Sequence, residues 1–171
     1  MAGQNPVTEM DLTLQKLREE QNFPLAVIAG ILAAAVGAGI WAGVTVVTEY
    51  QIGFMAIGVG ALIAFAIRAA GKGLTTKFQV LGALLSVLGC AAGNFLTVCY
   101  FIGQNEGMSL IQVLTLINPA SIPELMGSTF SIMDVLFYGI AIFEGYRLSL
   151  RRLPEAEFNA LRYYGSTGGL F

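Results

Sequence analysis

The chain has 171 residues, of which 56% are hydrophobic and only 12% charged, with a formal net charge of -2. Soluble domains carry about 25% charged residues, so this chain has too few to cover a water-facing surface, and the composition points to an integral membrane protein. No surface is basic enough to suggest a nucleic-acid partner, and the absence of histidine removes the commonest metal ligand and neutral-pH proton shuttle.

Residues 1–22 read as a polar cytoplasmic segment without a cleavable leader. Val7, Met10, Leu14 and Leu17 recur at three- and four-residue steps, which predicts an amphipathic helix lying on the membrane surface or pairing with a partner helix.

Residues 23–152 read as a four-span domain, with spans at about 24–48, 52–70, 78–103 and 127–149. In the first span Gly30, Gly37, Gly39 and Gly43 give small-xxx-small spacings, notably Gly39-x-x-x-Gly43. Such residues let helix backbones approach closely where apolar burial gives no net drive between helices. The turn Thr48-Glu49-Tyr50-Gln51 is short and returns the second span antiparallel, with Gly58 and Gly60 as further close-contact positions.

The basic turn Ala69–Lys77 superficially resembles a phosphate loop. It lacks the glycine needed at Ala66 and the hydroxyl needed at Gly73, which excludes that reading. In the third span Gly82, Gly89 and Gly93 continue the small-residue theme, and Asn94 is an amide in hydrocarbon that needs a partner. Gly30, Gly37, Thr45 and Val46 are echoed at one constant spacing by Gly82, Gly89, Thr97 and Val98. Cys90 and Cys99 share this span about 13 Å apart in rise and half a turn out of phase, so they do not bond to each other.

Met108 to Ile117 is apolar but too short to cross, and Asn118-Pro119-Ala120 breaks it. Ser121-x-x-Glu124, with Pro123, predicts a new helix start. This connection reads as an outer interfacial or re-entrant helix. Within the fourth span Ser131, Asp134 and Tyr138 share one face, and Asp134 sits about six residues below the outer end. An acid at that depth is either protonated, hydrogen-bonded to Asn94 or to hydroxyls, or turned toward another subunit, an ion or water. Glu144 lies near the inner interface, where Arg147 or snorkelling accounts for it. Residues 153–171 read as a cytoplasmic tail, with a short amphipathic helix carrying Phe158 and Leu161.

Orientation follows from charge. Lys16, Arg18, Arg68, Lys72, Lys77, Arg147, Arg151, Arg152 and Arg162 all fall on one side of these spans, and the opposite connections hold only Glu49, Glu106 and Glu124. The positive-inside rule places both termini in the cytoplasm of a cell bounded by a plasma or bacterial inner membrane.

The sequence carries no nucleophile–base set, metal cluster or cofactor motif. Asp134 and Glu144 stand about 15 Å apart along one helix and are no carboxylate pair. The expectation is an all-α, non-enzymatic four-helix membrane bundle. It would serve as an accessory or scaffold subunit, or as a self-associating packing module, with the bilayer and other membrane subunits or its own copies as partners. The alternative is a small oligomeric ion or solute channel using Asp134 and Asn94, with Ser131 and Tyr138 on the same path.

Overall fold

A computed structural model describes residues 12, 15–50 and 54–153. The expected amphipathic face at Val7, Met10 and Leu14, and the tail helix with Phe158 and Leu161, lie outside the described residues. Residues 15–19 are helical and Leu17 is buried.

The chain is all-helical, with no strand among the described residues. Helix α1 is Phe23–Thr48, α2 Phe54–Gly71 and α3 Thr76–Glu106. After them come the short α4 (Leu110–Leu116), a 3-10 turn (Pro119–Ser121), α5 (Ile122–Thr129) and α6 (Ile132–Leu148). Helices α1, α2 and α3 are long and apolar enough to cross a membrane, and they mark a membrane protein.

Asn22 starts α1 by accepting from the Leu25 N–H at 2.9 Å, and Glu49 ends it in a left-handed conformation (φ 56°). Both α2 and α3 pack against α1 on one side and α6 on the other, and they touch each other between. The shared interior holds Trp41, Val59, Ile63, Ile67, Phe78, Leu85 and Cys90, with Ala141 from α6. Ile28, Leu32, Val36, Leu84 and Leu88 are exposed on the outside of the bundle, the pattern of a protein whose apolar surface a bilayer would cover.

Glycine sets the approach distances. A methyl group at Gly30 would meet Leu85 and Ile67, at Gly37 Val59, at Gly89 Ile63 and Val59, and at Gly93 the Trp41 ring at 2.8 Å. At Gly60 it would meet the Ala141 carbonyl oxygen, also at 2.8 Å. At Gly39, Gly43 and Gly58 nothing lies within 4 Å. These three sit on helix faces turned away from the chain's interior, so they pack nothing within it.

The tightest crossing was not anticipated. Gly82 and Gly145 face each other across antiparallel α3 and α6, each followed four residues on by a serine. Ser86 donates to the Gly82 carbonyl at 2.7 Å and Ser149 to the Gly145 carbonyl at 2.5 Å. Each hydroxyl thus sits over the opposite glycine, satisfied within its own helix while the backbones touch.

The fourth apolar stretch also differs from expectation. It does not run unbroken from 127: α5 and α6 meet at a 107° bend. Phe130 and Ser131 are extended, and Asp134 in the first turn of α6 accepts from the Ser131 N–H, so Ser131-x-x-Asp134 is a helix start. At 17 residues α6 is about 25 Å long, a little short of the hydrocarbon thickness of about 30 Å. Asp134 therefore belongs to the opening turn of its helix and not to a position about six residues down it.

Ser121 does start α5, but without a side-chain cap; Asn118 caps the preceding turn through the Ala120 N–H at 3.0 Å. Helix α4 opens on a capping box between Ser109 and Gln112, and it folds back on α3 at Gly103, whose bare Cα lies against the Met108 carbonyl and Val113.

Candidate functional site

The helix ends differ sharply in chemistry. At one end, here the acidic end, Asn94 of α3 donates through Nδ2 to Asp134 Oδ1 at 3.3 Å and to the Tyr138 hydroxyl at 3.1 Å. Asp134 Oδ2 accepts from the Ser131 N–H at 2.8 Å and from its hydroxyl at 2.9 Å. The Tyr138 ring stands edge-on to Phe130, centroids 5.8 Å apart. Asn94, Ser131, Asp134 and Tyr138 are thus brought together, and they tie α3 to the opening turn of α6. Asp134 is only 2% exposed, and these hydrogen bonds take the place of the water it has lost.

Beside this cluster lies a cavity of about 230 Å³ lined by Thr45, Glu49, Asn94, Thr97, Val98, Phe101, Met126, Phe130 and Asp134. The ends of α1 and α3 make one wall, α5 and the start of α6 the other. Thr45, Thr97 and Glu49 were not expected to line a site. The first two had a signal, because they occupy equivalent places in the echo between the first and third apolar stretches. Glu49 had none, since its place depends on how the end of α1 sits against α5 and α6.

At the basic end three segments converge. The Asn22 N–H donates to the Gly71 carbonyl at 2.9 Å, the Leu74 N–H to Gln21 Oε1 at 3.1 Å, and the Arg151 N–H to the Gly73 carbonyl at 2.9 Å. Arg151 Nη1 donates to Glu20 Oε2 at 2.7 Å, and Lys72 Nζ stands 3.7 Å from the same oxygen. The Arg151 hydrogen bond first, and the Lys72 charge next, hold Glu20 below its ordinary 4.5.

Of the other basic residues, Arg68 lies over the Phe65 ring at 4.6 Å and Arg147 over Phe143 at 5.8 Å, each in the last turn of its helix where the dipole favours a cation. Lys77 lines an apolar groove with Phe23, Val80 and Leu84, and Arg152 is exposed. No ion pair joins Glu144 to Arg147 among the described residues; Glu144 sets its Cβ against Gly60.

Cys90 and Cys99 are buried free thiols, and no group of three metal-ligating side chains occurs among the described residues. Comparison with protein-family models, curated proteins and solved structures found no match. What remains is chemical: an acid- and hydroxyl-lined cavity at one end, a salt-bridged closure at the other, and between them a mainly apolar interior with the Ser86 hydroxyl buried in it.

Proposed function

We propose that the chain is a multi-pass integral membrane protein whose fourth crossing is completed by α6, with both termini on the cytoplasmic side. It works as a non-enzymatic accessory subunit that joins other membrane helices, or its own copies, through the outward face of α1. The observation that carries this reading is the contrast within α1. Gly30 and Gly37 are filled by Leu85, Ile67 and Val59, whereas Gly39 and Gly43 have nothing within 4 Å. A Gly-x-x-x-Gly face left open to lipid is suited to close backbone contact with another helix. The orientation rests on the basic residues, which gather where 15–22, the α2–α3 turn and 149–153 meet.

The reading is tested by purifying the full chain from its native membrane in mild detergent. The expected result is a stoichiometric partner or a defined oligomer, lost when Gly39 and Gly43 are both replaced by leucine while the monomer stays folded. A monodisperse, partner-free monomer from the wild-type chain refutes it. A C-terminal reporter active only outside the cytoplasm refutes the orientation.

The cavity favours a second reading, an oligomeric ion or solute pathway through Asp134 and Asn94. Flux across vesicles that Asp134→Asn abolishes, with assembly unchanged, would establish it over the first.

A further inference from the structure

We propose that the apolar groove at the basic end holds one anionic phospholipid, with its phosphate on Lys77 and an acyl chain along α3. The inference rests on the reading of the chain as a membrane protein and does not depend on the α1 face.

The first argument is the groove itself. It has a volume of about 410 Å³ and is lined by Phe23 of α1 and by Thr76, Lys77, Val80, Leu81 and Leu84 of α3. That falls within the roughly 300–1,000 Å³ of small-molecule sites. Its wall is fixed from behind. The Phe23 ring stands edge-on to Phe78, centroids 5.4 Å apart, and Phe78 is buried to 3% exposure where Gly71 and Gly73 leave room for its ring. Phe23, Val80 and Leu84 are exposed, so the groove is preformed and open.

The second argument is charge. Lys77 lines the groove and makes no ion pair among the described residues, and no acid lines the groove or stands in the first turn of α3. At the same end Lys72 and Arg151 already share Glu20. An uncompensated cation at one end of an apolar groove matches an amphiphile with a negative head, and it repels a cationic one.

The third argument is depth. At 31 residues α3 is about 46 Å long, close to the roughly 40–45 Å of a bilayer with its headgroups. Its first turn, with Lys77, therefore stands at headgroup depth, and Leu84 lies about 10 Å further in, among the acyl chains. A lysine at such a depth lays its stem on apolar surface and keeps its ammonium among the phosphates. A second helix fits the groove less well. Close helix contacts are made over small residues, and here Gly82 and Gly89 are turned inward, which leaves the bulky Val80 and Leu84 outside. A flexible acyl chain conforms to such a surface.

The test is native mass spectrometry of the full chain released from nanodiscs of equal parts phosphatidylglycerol and phosphatidylcholine, counting the lipids retained. One phosphatidylglycerol is expected to be held in preference to phosphatidylcholine. Lys77→Gln lowers that preference about fivefold, the effect of one lysine near an anionic headgroup. Leu84→Trp, which fills the groove, abolishes retention of either lipid. Arg152→Gln removes an exposed cation outside the groove and leaves the preference unchanged. Lys77, Leu84 and Arg152 are all exposed, so these variants leave the packed interior intact. The proposal is overturned if the wild-type chain shows no preference, if Arg152→Gln lowers it as much as Lys77→Gln, or if Leu84→Trp retains lipid undiminished. Carbonate washing of the native membrane tests the underlying reading separately. A chain that stays in the membrane but shows no lipid preference refutes this site alone, and a chain that washes off refutes both.

Discussion

Replacing Gly82 by alanine probes a close backbone contact between α3 and α6. The added methyl would overlap the Ser149 hydroxyl and the Gly145 carbonyl oxygen; the reciprocal Gly145→Ala would overlap the Ser86 hydroxyl and come to 2.6 Å of the Gly82 carbonyl oxygen. Ordinary contact begins at 3.4 Å, and two of the opposed atoms are backbone, which has no rotamer to change. Helices α3 and α6 must therefore separate, and overpacking of this kind costs about 1–3 kcal/mol. Because one displacement relieves both clashes, the double variant is expected to lose less than the sum of the singles. Ser149→Ala placed on Gly82→Ala restores only part of the loss, since it removes the hydroxyl and leaves the Gly145 carbonyl. Gly58→Ala is the control, with nothing within 4 Å; it should be neutral, or stabilising by up to about 1 kcal/mol from helix propensity. Reversible unfolding in mixed micelles by increasing mole fraction of dodecyl sulfate reads all of these. If Gly82→Ala is as stable as Gly58→Ala, or the double variant is strictly additive, the described crossing is wrong.

Acid should loosen the basic end. Because Glu20 titrates lower folded than unfolded, its contribution is complete above about its ordinary 4.5 and fades as pH falls through the lowered folded value. Glu20→Gln should flatten the acid limb of the stability–pH curve, and coincident limbs for the two proteins would dismiss the clamp. At the other end, Asn94→Leu takes away the donor that Asp134 and Tyr138 share and should cost about 1–2 kcal/mol. Tyr138→Phe removes only one of Asn94's acceptors and should cost about half as much on the same sulfate titration. Equal costs would show that the Tyr138 hydrogen bond dominates.

The helical class and the positions of the first three apolar helices were legible because lipid imposes a simple rule: long uncharged runs must satisfy their own backbone. The meeting of Asn94 with Asp134 was legible as one of few ways to serve two polar groups at one depth. The start of α6 was missed although its signal was present. Ser131-x-x-Asp134 has the same form as Ser121-x-x-Glu124, but inside an apolar run it was read as a shared face. The Gly82–Gly145 crossing was out of reach for a different reason. Small-residue spacing says which faces can approach, not which other face fills them, and so Gly39-x-x-x-Gly43 looked stronger than Gly145-x-x-x-Ser149. The Glu20–Arg151 pair spans almost the whole chain, and only the converging helix ends bring it together.

These contacts bear on what the cavity can do. Helix α6 is short, and it is held at both ends and in the middle. Asn94 meets its opening turn, Gly60 and Gly82 receive its backbone, and Arg151 just beyond it is locked to Glu20 and Gly73. The buried interior holds Trp41, Val59, Ile63, Ile67 and Leu85, and Ser86 is a buried polar side chain within it. For a solute to pass through a single chain, α6 would have to leave α2 and α3. That breaks the backbone contacts, the Asn94 hydrogen bonds and the Glu20 clamp together. Costs of this kind, each about 1–3 kcal/mol, fall on one rigid motion and do not arrive in steps. A pathway through Asp134 and Asn94 would therefore need a neighbouring copy to complete it.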